Sequence, residues 1–155
     1  MTVVIDAEVR IARPVGEVYA ALIDVERWPA WLIATGIVKV ERLDDGPLRA
    51  GSRLRVGQSL AGRAATLDGV VTVLAPDAAF GVQGRDRDGI EIRIDAVVAP
   101  DELAADGPAT RLRWSAAIKL PFRYRLFESM VTPQARKAAS LDLEALRQRL
   151  ETGAA

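Results

Sequence analysis

What most constrains this chain is the spacing of its turn residues. Between Gly36 and Lys119 the sequence is cut by polar and small-residue clusters at "DDGPLRAG" (44–51), "AGR" (61–63), "APDAA" (75–79), "DRDG" (86–89) and "DELAADGPA" (101–109). The pieces left over, 36–43, 51–60, 64–75, 79–85, 89–99 and 109–119, have the length of β-strands. Connections this short cannot make the crossover that a parallel pair needs, so the spacing predicts an antiparallel meander. The side chains agree: Leu54, Val56, Gln58 and Leu60 alternate with Arg53, Arg55 and Ser59, while Ile90, Ile92, Ile94 and Ala96 alternate with Glu91, Arg93 and Asp95. A period of two gives one apolar face and one wet face.

The same alternation opens the chain. In "VVIDAEVRI" (3–11) Val3, Ile5, Ala7, Val9 and Ile11 share a face against Val4, Asp6, Glu8 and Arg10, a seventh strand. Pro14 suits the first turn of a helix in which Val15, Val18, Tyr19 and Leu22 recur at helical spacing and which Asp24 closes. Pro29 is expected to start a second short turn carrying Trp31 and Leu32. The segment 121–151, rich in Ala, Leu, Glu, Arg and Gln, predicts a helix up to about 45 Å long, enough to lie across a sheet. Its apolar stripe changes face, from Phe127, Met130 and Val131 to Ala139, Leu143, Leu146 and Leu150, and Thr132 before Pro133 resembles an N-cap, so a kink is expected near Pro133.

A length of 155 residues sets one domain, 1–155, with one core. Lys+Arg and Asp+Glu are 21 each, so there is no global field to draw in phosphate backbones or anionic lipid, and nucleic acid is not an expected partner. The first residues lack the apolar block of a signal peptide and no apolar run reaches membrane-spanning length, so no transmembrane segment and a cytoplasmic location are expected. The chain contains neither Cys nor His. That removes disulfides, Cys nucleophiles, His bases and the usual zinc and iron sites, and no metal or cofactor is expected. Any chemistry falls to Asp, Glu, Lys, Arg, Tyr, Ser or Thr.

The order strand, two short helices, six antiparallel strands and long terminal helix resembles the helix-grip fold of the START and polyketide-cyclase superfamily (SRPBCC), which includes the major birch pollen allergen. The residues that carry the resemblance are "RPVGEVYAALIDVERWPAW" with Pro14, Val18, Leu22, Asp24, Pro29 and Trp31, Gly51 opening a strand, "VLAP" ending at Pro76, and "DLEALRQRLE" at 142–151. It implies an α+β fold in which a curved seven-stranded antiparallel sheet wraps a long C-terminal helix, with two short helices between strands one and two. Such a sheet does not pack flush on the helix at mid-length, and a cavity is expected there. Family cavities hold lipids, sterols, polyketides or hydrophobic hormones, so a hydrophobic small molecule is the implied ligand.

Alternation places Leu54, Val56, Gln58, Leu60, Ile92, Ile94, Leu112, Trp114, Ala116 and Ile118 on the inner face, joined from the helices by Trp31, Leu32, Phe127 and Met130. Each fits plain core as well as a pocket wall. Gln58, a neutral amide on an apolar face, is suited to orient a ligand carbonyl, or to satisfy itself against backbone. Tyr124 and Glu128 are four apart on one helix face and are the candidates for acid–base work; the alternative for Glu128 is a solvated pair with Arg125. Arg63, in a hairpin, is a candidate for a ligand carboxylate. "GRDRDG" (84–89) and Asp44–Asp45 lack the spacing of a calcium loop and read as polar turns.

Three functions are open from these residues: a carrier or sensor of a hydrophobic small molecule, a polyketide cyclase or aromatase-like enzyme using the same cavity, and a protein-interaction module. A homodimer is compatible with all three.

Overall fold

The computed structural model describes residues 2–60 and 62–153. The strands are β1 (Thr2–Ile11), β2 (Ile37–Arg42), β3 (Arg53–Leu60), β4 (Arg63–Ala75), β5 (Ala79–Arg85), β6 (Glu91–Pro100) and β7 (Thr110–Lys119). They form one antiparallel sheet in the order β1-β7-β6-β5-β4-β3-β2. Between β1 and β2 come helix α1 (Val15–Ile23) and a 3-10 turn (Val25–Ala30); after β7 come a second 3-10 turn (Phe122–Phe127) and the long helix α2 (Glu128–Thr152). This is the α+β helix-grip architecture.

The sheet curves because its sequence allows it. Gly69 on β4 faces Gly84 on β5 across the ladder, and with no side chains on the inner face at that point the two strands coil inward. Bulges between Ile37 and Lys39 and between Val71 and Val73 bend the sheet further. Gly81 shows how closely the outer face is packed: a Cβ there would lie 2.6 Å from Thr72 Oγ1 and 2.9 Å from Asp95 Oδ1.

Two expectations for the helices need correction. The first 3-10 turn starts at Val25, and Pro29 lies near its end. Arg27 N–H already closes the turn onto Asp24 O, while the N–H groups of Trp31 and Leu32 both turn back to Trp28 O at 3.1 and 2.8 Å. Pro29, having no N–H, sits inside the turn without needing an acceptor of its own. At the other end of the chain, Pro133 sits inside an unbroken α2, and the change of winding falls at Phe127–Glu128. Thr132 is no N-cap, because its hydroxyl donates back to Glu128 O at 3.2 Å within the helix. Gly153 closes α2 with φ 72°, its N–H returning to the last turn.

The core gathers where three elements meet the inner face. The second half of α2 buries Ala139, Leu143 and Leu146 and lies along β1, while α1 packs its Val18, Tyr19 and Leu22 over β5 and β6. Between them the first 3-10 turn buries Trp28 edge-on against Phe80, with ring centroids 6.0 Å apart. Trp28 Nε1 donates to Leu22 O at 2.9 Å, so the indole is both packed and satisfied.

Candidate functional site

Of the inner-face residues, Leu54, Val56, Leu112, Trp114 and Ala116 are buried, as are Trp31 and Leu32 from the connecting segment. Trp31 meets Trp114 edge to face at 5.8 Å. The two tryptophans of the "WPAW" segment thus do different work: Trp28 seals the core beneath α1, and Trp31 turns to the middle of the sheet. The indole N–H groups of Trp31 and Trp114 have no acceptor among the described residues, unlike that of Trp28.

Along β6 the cover fails. Ala96 and Val98, beneath α1, are buried, whereas Ile94 and Ile92 on the same face are only half-buried, and so is Ile118 across from Ile92 on β7. Ile92 and Ile118 face each other one residue from the ends of β6 and β7, at one rim of the inner face, and all three still pack against the core. Of the strands, α2 comes closest to β1. Phe127 and Met130, expected to face inward, are 53% and 58% exposed, and from the first half of α2 it is Ala135 that packs against the core. The side chain of Leu60 lies outside the described residues.

Gln58 is half-buried and donates from Nε2 to Thr35 O at 2.8 Å, so half of its amide is already spent on backbone. That bond belongs to a clamp which sequence reasoning did not single out. Asp142, 2% exposed, accepts from Ala34 N at 2.7 Å, Thr35 N at 2.9 Å and Thr35 Oγ1 at 2.6 Å. It ties the Trp31–Gly36 connection to α2 on one side, as Gln58 does to β3 on the other. A signal was present: Asp142 interrupts the apolar stripe of Ala139, Leu143 and Leu146, and a carboxylate on a buried face must find donors.

The acid–base candidates sit at the junction of the second 3-10 turn with α2. From Phe122 to Met130 only Tyr124 and Glu128 are half-buried; the rest are exposed. The expected Arg125–Glu128 pair does not form, and Arg125 lies over the Phe122 ring at 4.3 Å, as Arg123 lies over Tyr124 at 5.0 Å. Arg63 is engaged by Asp86 at 3.1 Å and Asp88 at 2.6 Å, which raises its pKa through hydrogen bonds and removes it as a free ligand-binding cation. Asp86 Oδ1 in turn accepts from Asp88 N and Ile90 N, each at 2.9 Å, and this is a capped hairpin turn. No group of carboxylates suited to a metal occurs among the described residues. Arg53, Arg55 and Arg111 lie on the wet face, paired with Asp44, Asp68 and Glu8. Two grooves of about 310 and 370 Å³ also lie on that outer face, beside Arg113 and Arg85 respectively.

Comparison with known proteins agrees with this architecture. The chain superimposes on solved structures along nearly its whole length: a protein from Thermus thermophilus (TM-score 0.78, 17% identity, 99% of this chain and 100% of that one), the Zhui aromatase/cyclase from a Streptomyces species (0.76, 16%, 97% and 94%), and a START superfamily protein from Mycobacterium smegmatis (0.75, 17%, 96% and 97%). At such identities the likeness speaks for the fold alone. A search of curated proteins finds no match. The sequence profile described as "Polyketide cyclase / dehydrase and lipid transport" matches residues 2–151, and this chain, with its curved seven-stranded sheet and long terminal helix, belongs to that family.

Proposed function

We propose that the protein binds a hydrophobic small molecule, a lipid, polyketide or aromatic compound, between the sheet and the first half of α2, as a carrier or sensor. The observation that carries this reading is the half-buried set Ile92, Ile94 and Ile118 toward one end of β6 and β7 on the apolar inner face. Each of the three still exposes part of its side chain, and a ligand that covers this remainder gains on the order of 25 cal/mol for every Å² of apolar surface removed from water. The two free indole N–H groups and the unspent carbonyl of Gln58 provide the few polar contacts such a site needs to orient its guest.

The experiment is a titration with oleic acid and with 1-anilinonaphthalene-8-sulfonate, read by tryptophan emission, since Trp31 and Trp114 border the uncovered patch. Saturable binding of one molecule per chain is expected, and Ile94→Trp, which fills the space, weakens it by about tenfold or more, the equivalent of a lost side-chain contact or two. Absence of saturable binding, or an Ile94→Trp protein that binds as tightly as the parent, overturns the proposal.

A second reading, cyclase or dehydratase chemistry in the same space, is favoured by Tyr124 and Glu128 being the inward-turned members of an exposed segment. Turnover of a poly-ketone that persists undiminished in a Tyr124→Phe, Glu128→Gln protein removes it.

A further inference from the structure

We infer that the end of the molecule formed by the second 3-10 turn and the start of α2 docks on an anionic lipid bilayer. The segment exposes Phe122 at 72%, Leu126 at 79%, Phe127 at 53% and Met130 at 58%, more large apolar surface than any other stretch of similar length among the described residues. Single exposed apolar side chains need no explanation, but a contiguous group marks an interaction surface. Phe122, Leu126, Phe127 and Met130 fall within nine residues of one another, across the 3-10 turn and the first turn of α2.

Charge identifies the partner. The chain as a whole is neutral, yet residues 121–137 hold the cations Arg123, Arg125, Arg136 and Lys137 against the single carboxylate Glu128. None of the four is ion-paired among the described residues; Arg123 donates to Asp88 O at 2.5 Å and Arg125 rests on Phe122. The arginines of the outer sheet face are instead neutralised by neighbouring acids. Expected uniformity of charge therefore gives way to a local basic rim around an apolar tip. Aromatic and aliphatic side chains flanked by long cationic stems are the composition that lies in the headgroup region of a bilayer, apolar groups down and charges level with the phosphates. A second copy of this chain fits less well, since a two-fold contact through this tip sets Arg123 and Arg125 against their own counterparts. The inference goes beyond the ligand reading and does not depend on it, because docking is measured on protein without added ligand.

The test is flotation of the full chain with vesicles of phosphatidylcholine alone and of phosphatidylcholine with phosphatidylglycerol, at low and high ionic strength. Binding to the anionic vesicles, lost at high salt, is expected. Arg125→Gln and Lys137→Gln each weaken it about fivefold, the contribution of one cation near such a surface. Leu126→Asp weakens it more than either, while Leu103→Asp, an exposed apolar site in the β6–β7 connection, leaves it unchanged. Thermal melting of each variant confirms the fold. Failure to float with anionic vesicles at low salt overturns the inference. So does equal binding by Leu126→Asp, or a dimer in solution that Leu126→Asp dissociates.

Discussion

Asp142 is a buried carboxylate with no cation beside it; its charge is held by two backbone N–H groups and a hydroxyl. Asp142→Asn keeps the shape but turns an amide NH2 toward donors. A loss of roughly 2–3 kcal/mol is expected in urea unfolding, the cost of stranding buried hydrogen-bonding groups. Tyr19 sets a pH limit. Burial first, and the Asp77 carboxylate second, raise its pKa above the ordinary value of 10.0, and its hydroxyl donates to Ala79 O at 2.9 Å. The unfolded phenol ionises first, so this contribution is intact below pH 10 and is lost as pH climbs through the folded value. Melting temperature is expected to fall on that alkaline limb, and Tyr19→Phe to flatten it while costing about 1 kcal/mol at neutral pH. A Tyr19→Phe protein with the parental alkaline slope speaks against it. For Asp142 the interrupted apolar stripe was visible in sequence, but the donors of Ala34 and Thr35, more than a hundred residues away, were not. Tyr19 read correctly as a core position of α1, but its partner lies 60 residues away.

Within α2 the two halves live in different surroundings. Ala139, Leu143 and Leu146 are anchored in the core, whereas Met130, and Phe127 just before the helix, stay more than half exposed. Helical hydrogen bonds without tertiary cover open easily. Amide exchange is expected to be faster across residues 128–138 than across 139–150, and the fast half to slow when an apolar ligand is bound. Leu143→Ala is expected to cost about 2–4 kcal/mol, whereas Met130→Ala stays within about 0.5 kcal/mol, as read by urea unfolding. The change of apolar face along 121–151 was legible in sequence and does mark two regimes. Assigning the change to Pro133 was the error: a proline's local effect was read as the cause of a difference that comes from what each half packs against.

At the scale of the molecule, strand spacing and alternation were enough to place all seven strands, because turn chemistry and period-two patterning are local properties. The sheet's curvature was legible only through the family resemblance, since it depends on Gly69 meeting Gly84 across a ladder and no stretch of either strand shows that alone. The close approach of α2 to β1 was not legible in either element alone. One pairing bears on how the chain comes to be folded at all. Every strand from β2 to β6 pairs with the strand that follows it, but β1 pairs only with β7, joining Thr2 to Lys119 and Ile11 to Thr110. During synthesis at about 5–20 residues per second, β1 therefore waits on the order of ten seconds for its partner to be made. Its apolar row of Val3, Ile5 and Ile11 has no ladder to join until the meander is almost complete. The strand of this sheet that is made first is among the last to be docked, and the sheet closes only once β7 has been made.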